Sequence, residues 1–335
     1  MRRESNRDIE IVSLAQDLGL GAKSNPYLEI VDYCVAQVLS MVKKHGEFST
    51  LTDLLDCAVN EANSTFREIH SDNDLRLIKD EYCSRKEKGF VDLDAQLAGE
   101  VFGITYRLGN PEPWENQFVS IIDCRGPKGF RSYFTKWHEV AHLLTITDQG
   151  RLVFRRTHSR LVKDVPEEGL MDGIAGRLGF LKEIFHGHLS GRISFAEMER
   201  LRRQLCAEAS QPASVINFVK YWPEPVIHLE VGPGLNSKEL DSLRQNAFDF
   251  VDAPEPVLRA LHVSCNDAAR SSHFQLFDNM RVPETSCVRE VYEGRTRGVV
   301  SSECFSAWQV AAAKQNISVE ARWRGDVVEA LLTPN

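Results

Sequence analysis

Apolar residues near the amino end of the chain recur at the spacing of one helix face. The residues of this face stand three or four positions apart: Leu51, Leu54, Leu55, Ala58, Ala62 and Phe66. Ser49, Thr50 and Thr52 offer helix N-caps just ahead of Asp53. The pattern predicts that residues 1–70 are mostly helical, and apolar residues alternating with polar ones predict a further helix at about residues 91–101.

The pattern changes after Gly103, where apolar residues follow one another in short runs. Residues 104–108 and 118–122 are typical of strands, and residues 109–111 between them are typical of a turn. An amphipathic helix is predicted to begin near Ser132. Another is predicted at about residues 166–184, because Pro166 and the acidic residues after it suit the first turn of a helix.

The carboxyl-terminal half mixes helices with short strands. Residues 193–221 are predicted to be helical, and a strand is predicted at residues 226–231. Beyond residue 256, strands are predicted at residues 258–263, 274–277, 317–322 and 327–332, around one helix near residues 303–314. We therefore predict an α+β protein with a helical extension (1–70), a sheet-and-helix domain (71–190), a helical middle region (191–232) and a small α/β domain (250–335).

The composition is that of an ordinary globular protein. The 335 residues are 42% hydrophobic and 26% charged, which is enough to bury a substantial core. A formal net charge of −8 argues against a surface that binds nucleic acid through bulk positive charge. The amino end lacks the apolar core of a secretory signal, and no run approaches the ~18–20 apolar residues of a membrane span. The eight scattered cysteines contain no CxxC pair and favour reduced thiols, so we expect a cytoplasmic protein that does not associate with membranes.

The run His138-Glu139-Val140-Ala141-His142 carries the strongest chemical signal. Two histidines four positions apart on a helix have Cβ atoms about 5–6 Å apart, so both imidazoles can bind one Zn²⁺ ion. Glu139 is then placed to act as the general base for attack of water on a peptide carbonyl. This HExxH pattern predicts a zinc peptidase. The alternative interpretation is an ordinary amphipathic helix with two surface histidines.

A zinc site of this kind needs a third protein ligand, and Glu168 is the preferred candidate. It lies at the start of a helix whose far side is apolar, so it can pack under the HExxH helix. Asp172 lies four residues further on and shares its face, so we expect Asp172 to hydrogen-bond a histidine ligand. Other side chains remain alternatives for the third ligand: Glu167, His158, His186 and His188.

Residues 134–144 and 168–178 together resemble the ImmA/IrrE metallopeptidases. In that family a strand leads into the HExxH helix, and a later helix carries a glutamate ligand followed four residues on by Asn. This chain departs from the pattern at Asp172, where Asn is usual, and at Gly176, where a second Ala is common. Residues 193–231 are similar to the helical middle region of IrrE-type proteins, and residues 258–332 to their GAF-like carboxyl-terminal domain.

The resemblance implies a zincin-like metallopeptidase domain and a GAF-like sensor domain. It also implies a zinc-dependent endopeptidase that cleaves a helix-turn-helix repressor and so derepresses a DNA-damage or phage-defence operon. The likeness is greatest to repressor-cleaving peptidases of CBASS-type defence, which implies single-stranded DNA as an activator. Residues 1–70 match no part of this family.

A run of basic residues without any acidic residue follows the HExxH helix, with Phe154 and His158 among them. The basic residues are Arg151, Arg155, Arg156, Arg160 and Lys163. They are candidates for binding the phosphates of single-stranded DNA, with Phe154 as a stacking surface for a base. Alternatively, they attract an acidic segment of the substrate. The alternative interpretation is a solvated loop.

Cys124 directly follows the second predicted strand, which we expect to border the active-site cleft. A thiolate there is a candidate inhibitory ligand that blocks the open position of the zinc and is released on oxidation or activation. The alternative is a small buried or edge residue.

The main alternative function is a regulatory binding protein. It keeps the zincin-like fold, sequesters a repressor and responds to a ligand of the GAF-like domain. Candidate metal ligands together with Glu139 disfavour it, because a binder needs no general base. Another metal hydrolase with a non-peptide substrate is a further alternative that the HExxH pattern leaves open.

Overall fold

The computed structural model of the chain describes residues 7–21, 25–46, 48–146, 153–157, 166–236, 239, 241, 255–309 and 315–335. The chain divides into two compact units, one of Met1–Phe185 with Arg202–Ser210 and the other of His186–Leu201 with Gln211–Asn335. Each unit contains helices and a β-sheet, so the predicted α+β class is confirmed. Among the described residues, no helix combines the length and the apolar character that a bilayer crossing requires.

The first unit combines helices with a four-stranded sheet. Its helices are α1 (Arg7–Asp17), α2 (Pro26–His45), α3 (Leu51–Glu61), α4 (Asp72–Ser84), α5 (Leu93–Gln96), α6 (Ser132–Leu144), α7 (Pro166–Leu178) and α8 (Lys182–Phe185). Its strands are β1 (Ser64–Ile69), β2 (Val101–Arg107), β3 (Phe118–Asp123) and β4 (Val153–Thr157). Short 3-10 turns at Lys88–Phe90 and Gly126–Arg131 lead towards α5 and α6.

The strand order in this sheet is β1-β3-β2-β4. β1 runs parallel to β3, with Ile69 opposite Asp123, so the carboxyl ends of these two strands meet at one edge of the sheet. β2 runs antiparallel to both β3 and β4. The antiparallel register places Gly103 and Thr105 of β2 opposite Ile122 and Ser120 of β3.

The two faces of the sheet pack against different helices because successive side chains of a strand point to opposite faces. Ile104, Tyr106, Val119 and Ile121 share one apolar cluster with residues of α4 and α5, such as Ile78. The opposite face packs against α6, which also packs against α3 and α7. α6 is therefore buried from nearly all sides, and its side chains are held by the sheet and by other helices.

Three elements of the first unit differ from the sequence-based predictions. Residues 64–69 form strand β1 instead of continuing the helical extension, because Asn63 at φ 54° ends the preceding helix in the left-handed region. The helix predicted at residues 91–101 is reduced to Leu93–Gln96, since Gly99 at φ 66° turns the chain into β2. The helix predicted at residues 166–184 is divided into α7 and α8.

The second unit contains a five-stranded antiparallel sheet with helices. Its helices are α9 (Phe195–Leu205), whose last residues belong to the first unit, α10 (Gln211–Tyr221), α11 (Asp267–Ser271), α12 (Cys287–Gly294) and α13 (Phe305–Trp308). Its strands are β5 (Ile227–Gly234), β6 (Val257–Cys265), β7 (Val299–Cys304), β8 (Asn316–Arg324) and β9 (Val327–Pro334), in the order β6-β5-β9-β8-β7. α12 packs on β7, β8 and β9, and α10 packs on β5 and β6.

Several predictions for this unit were wrong. Residues 274–277 form no strand: Phe274 and Leu276 are buried in the core while Phe277 is exposed, and this alternation imitates a strand in an irregular segment. The helix α12 and the strand β7 were not predicted. The helix predicted at residues 303–314 is observed only at Phe305–Trp308, and residues 310–314 lie outside the described part of the chain.

Candidate metal centre

Helix α6 presents His138 and His142 on one face, as their spacing predicts. The two imidazole ring centroids lie 5.0 Å apart, and both side chains are buried. Val140 and Ala141 are fully buried and anchor the helix in the core. The two imidazoles therefore project from a rigid element, which limits the rotamer freedom that metal binding would otherwise have to remove.

Glu168, in the first turn of α7, faces both imidazoles. Its Oε2 lies 3.3 Å from His138 Nε2, and its Oε1 lies 3.5 Å from His142 Nε2. The donor atoms of the three residues all lie within 4.8 Å of one another. Burial alone would raise the pKa of Glu168, but hydrogen bonds and charge interactions with the two histidines lower it to about 2. The carboxylate form therefore faces the imidazoles.

Asp172 fixes the orientation of His138. Its Oδ1 lies 2.8 Å from His138 Nδ1. A carboxylate accepts but cannot donate, so His138 Nδ1 carries the proton of this hydrogen bond and Nε2 is directed towards Glu168. The structure thus brings together His138, His142 and Glu168, which the sequence singled out as candidate ligands, and Asp172, which was expected to hydrogen-bond a histidine and stands where Asn is usual.

Glu139 is fully buried, and one of its oxygens is held by a chain of hydroxyl groups from the sheet. Thr105 Oγ1 donates to Glu139 Oε2 at 2.7 Å and lies 2.6 Å from Ser120 Oγ, which in turn lies 3.3 Å from Ser64 Oγ. Because the proton of Thr105 is committed to Glu139, Ser120 is the donor to Thr105. Three strands therefore orient this carboxylate.

The second oxygen of Glu139 is buried and has no hydrogen-bond partner among the described residues. It lies against the backbone of β2 at Gly103, where a Cβ atom would stand only 2.7 Å from Glu139 Oε1. Glycine at position 103 thus leaves room for the carboxylate. A buried carboxylate oxygen without a donor is costly unless a further group, such as a water molecule, binds to it.

The residues present fit a zinc ion. Two imidazole nitrogens and one carboxylate converge from two helices, which is a donor set that catalytic zinc sites use with a fourth position left open. The supporting hydrogen bond from His138 to Asp172 is the kind that orients a metal-bound histidine. Glu139, the residue after His138, has a buried carboxylate oxygen to which no described protein group donates a hydrogen bond.

The alternatives for the third ligand are placed differently. Glu167 Oε1 lies 4.0 Å from His142 Nδ1, and Glu167 is outside the group of converging donors. His186 and His188 are exposed in a short 3-10 helix that belongs to the second unit. His158 lies outside the described residues.

The structure does not bring Cys124 to this group of donors. The strand before it, β3, lies between β1 and β2 in the sheet. Cys124 Sγ lies 3.8 Å from Glu68 Oε2, and Glu68 pairs with Lys136. Lys136 precedes His138 by two residues, or about 200° around the helix, so Cys124 lies beside the opposite face of α6. Burial and the charge of Glu68 also raise the pKa of the Cys124 thiol to about 12, which disfavours a free thiolate in the metal-free chain.

The basic run is described only in part. The backbone of Arg155 and Arg156 belongs to β4, while Arg151, Arg160 and Lys163 lie outside the described residues. Single-stranded DNA contact by these residues therefore stays a prediction.

Thr105, Ser120 and Gly103 are site residues that the sequence analysis missed. The available signal was slight: two hydroxyl residues and one glycine interrupt otherwise apolar strands. Whether these residues contact Glu139 depends on which face of the sheet packs against α6, and the periodicity of a single strand does not show which face that is.

Comparison with known proteins did not identify a family for this chain. The chain matches no protein-family model, and a search of curated proteins likewise found no match.

Proposed function

We propose that this chain is a zinc-dependent metallopeptidase. The observation that carries the proposal is the convergence of the donor atoms of His138, His142 and Glu168, on the helix in which Glu139 follows His138 and keeps one buried oxygen without a hydrogen-bond donor. A structural histidine pair has no need of a third acidic donor and an adjacent carboxylate with no protein partner. Zinc bound by these donors would polarise the scissile carbonyl and the attacking water.

Glu139 supplies the proton transfers of this reaction. Its Oε1 accepts a proton from the attacking water and passes it to the leaving amine, while Thr105 holds Oε2 in place. Asp172 keeps the Nδ1 proton on His138 and so leaves its Nε2 as the ligand atom. Burial of His138 and Glu139 excludes bulk water from their side of the site.

The backbone of β4 offers a place for an extended substrate. β4 pairs with β2, and no other strand of the described chain pairs with its outer edge. An extended peptide can add to such an edge through main-chain hydrogen bonds. β4 neighbours the strand that carries Gly103 and Thr105, so a peptide bound there lies one strand away from the residues that contact Glu139.

The resemblance to ImmA/IrrE proteins supports a narrower form of the proposal. In that form the first unit is zincin-like, the substrate is a helix-turn-helix repressor, the second unit contains a GAF-like sensor and single-stranded DNA is an activator. Cleavage of a small helix-turn-helix protein encoded beside the gene for this chain would test the substrate directly.

The decisive test compares Glu139→Gln with the unchanged protein. We expect about one zinc per chain in both proteins, because Glu139 is not a ligand, and no cleavage by the variant, because the amide cannot accept a proton. Zinc is measured by elemental analysis, and cleavage is measured on casein and on the neighbouring helix-turn-helix protein. Glu112→Gln, an exposed substitution in the loop between β2 and β3, serves as the control and should cleave normally.

His138→Ala should lose both zinc and activity. Cleavage by Glu139→Gln at the wild-type rate would contradict the peptidase proposal. A purified chain without zinc that still binds the repressor would instead support the regulatory binding protein.

A further inference from the structure

A second group of metal-ligating side chains lies at the carboxyl ends of β1 and β3. It consists of Glu68, His70 and Cys124, whose donor atoms all lie within 4.8 Å of one another. Among the described residues, this is the one group besides His138, His142 and Glu168 that meets this condition.

The parallel pairing of β1 with β3 explains why the three residues meet. Ile69 lies opposite Asp123, and Cys124 N donates to Ile69 O at 2.8 Å. The residues that flank Ile69 therefore stand beside the residue that follows Asp123. The backbone of His70 is fixed as well, because its N–H donates to Asp74 Oδ2 at 3.1 Å.

The two oxygens of Glu68 have different neighbours. Oε1 lies 2.7 Å from Lys136 Nζ, whereas Oε2 lies 3.0 Å from His70 Nε2 and 3.8 Å from Cys124 Sγ. Lys136 thus holds the carboxylate so that Oε2 faces both the imidazole and the thiol. His70 is exposed and Cys124 is half-buried, so an ion from solvent can reach the three donor atoms.

We propose that Glu68, His70 and Cys124 bind a second transition-metal ion of the zinc class, with no ligand in common with the centre on α6 and α7. Sulfur, imidazole and carboxylate donors suit Zn²⁺ or Co²⁺, whereas Ca²⁺ and Mg²⁺ prefer sites made of oxygen alone. On binding, the metal forms a bond to Cys124 Sγ and the thiol proton is released to solvent. Water completes the coordination.

The site is linked to the HExxH helix through one ion pair. Lys136 of α6 contacts Glu68 and also Glu208, whose Oε2 lies 2.6 Å from Lys136 Nζ. A cation bound to Oε2 withdraws negative charge from the Glu68–Lys136 pair and shifts Lys136 towards Glu208. Metal binding at the second site would thereby affect α6, the helix that carries His138 two residues after Lys136.

Titration of the metal-free full-length chain with Co²⁺ under reducing conditions tests the proposal. Only a site with a sulfur ligand gives a thiolate-to-cobalt charge-transfer band, and the three donors of the α6–α7 centre contain no sulfur. We expect two Co²⁺ ions per chain and a charge-transfer band in the unchanged protein. His138→Ala should keep the band while binding one ion fewer.

Cys124→Ser and His70→Ala are expected to lose the band and one Co²⁺ ion. Cys265→Ser, at another half-buried free cysteine, is the matched control and should keep both. If Cys124→Ser fails to fold, the exposed His70→Ala variant decides the question. Absence of the band in the unchanged protein, or its persistence in either folded variant, would overturn the proposal. Neither result bears on the peptidase activity, which Glu139→Gln tests separately.

Discussion

The orientation of Glu139 depends on hydroxyl groups that come from distant parts of the chain. Thr105 donates to one oxygen of Glu139, and Ser120 donates to Thr105. A hydrogen bond to a charged acceptor contributes about 1.5–3 kcal/mol, which is enough to select one carboxylate rotamer. In the proposed peptidase reaction, this fixed orientation would hold the second oxygen of Glu139 ready to accept a proton from the attacking water.

Replacing Thr105 by Val should therefore slow cleavage without removing zinc. Valine has nearly the same shape but no donor, so the loss of about 1.5–3 kcal/mol corresponds to a fall in kcat/KM of roughly 10–100-fold. Kinetics and elemental analysis of the purified variant check the two parts of this expectation. Thr65→Val is the matched control, because Thr65 is exposed on β1. Loss of zinc in Thr105→Val would mean that Thr105 supports the ligands and does not act through Glu139.

In the proposed zinc site, Asp172 would act on the metal through its hydrogen bond with His138. Asp172→Ala removes the acceptor of the His138 Nδ1 proton and should weaken zinc binding by roughly 10–100-fold, as loss of such partners usually does. Asp172→Asn keeps an acceptor oxygen and should lose less. Competition with a chelator of known affinity measures both variants. Asp80→Ala, an exposed change on α4, should bind zinc as the unchanged protein does. Equal affinities of all four proteins would contradict this role of Asp172.

The residues on α6 and α7 were accessible to sequence reasoning because each set lies within one helix. Helical spacing alone places His138 beside His142 and Glu168 beside Asp172. Sequence reasoning could not find the roles of Thr105 and Glu68, because these depend on how the strands pair. Thr105 lies 34 positions before its partner Glu139, and Glu68 lies 68 positions before its partner Lys136. The same limitation misplaced Cys124, whose neighbours follow from the parallel register of β1 and β3.

At the scale of elements, one turn residue changed the predicted architecture. The helical spacing that begins at Leu51 continues through Ala62 to Phe66, yet the helix ends at Glu61 because Asn63 adopts φ 54°. Phe66 then belongs to β1, which pairs with a strand more than 50 residues away. Asn followed by Ser and Thr was a local signal for this change, since Asn tolerates the left-handed region. No local pattern in the sequence indicated that β1 pairs with β3.

The contact between α2 and α7 depends on glycine. A Cβ atom on Gly173 would stand 1.8 Å from Tyr27 Oη, and Tyr27 Oη donates to Gly169 O at 3.4 Å. Gly176, one turn further along α7, has open space at its Cβ position. An added methyl group would therefore clash with Tyr27 at Gly173 but not at Gly176, so Gly176 serves as the matched control for Gly173.

Gly173→Ala should destabilise the first unit by about 1–3 kcal/mol, the usual cost of overpacking, because Tyr27 must move. Gly176→Ala should be neutral or stabilise it by up to about 1 kcal/mol, since Ala favours helix. Urea unfolding measures both free energies. The cost of Gly173→Ala should shrink when Tyr27 is also changed to Ala. If Gly173→Ala costs as much with Tyr27 removed, the contact with Tyr27 is not the cause.

At the scale of the whole molecule, the chain consists of two compact units, and the candidate metal centre lies entirely in the first. Its ligands come from α6 and α7, which pack against each other and contribute no residue to the second unit. A ligand that binds only the folded state stabilises the unit that contains its site. Zinc should therefore act unequally on the two units.

We expect thermal unfolding to show two transitions, of which zinc raises only one. At free zinc 100 times the dissociation constant, the gain is about 2.7 kcal/mol. The transition whose temperature zinc raises should be the one whose temperature Gly173→Ala lowers. Val291→Ala opens a cavity in the core of the second unit and should lower the temperature of the other transition. Glu168→Ala should abolish the zinc-dependent shift while keeping both transitions. Calorimetry with chelator or with added zinc measures these shifts. A single transition that zinc raises would show that the two units unfold as one, and an equal shift of two transitions would contradict zinc binding to the first unit alone.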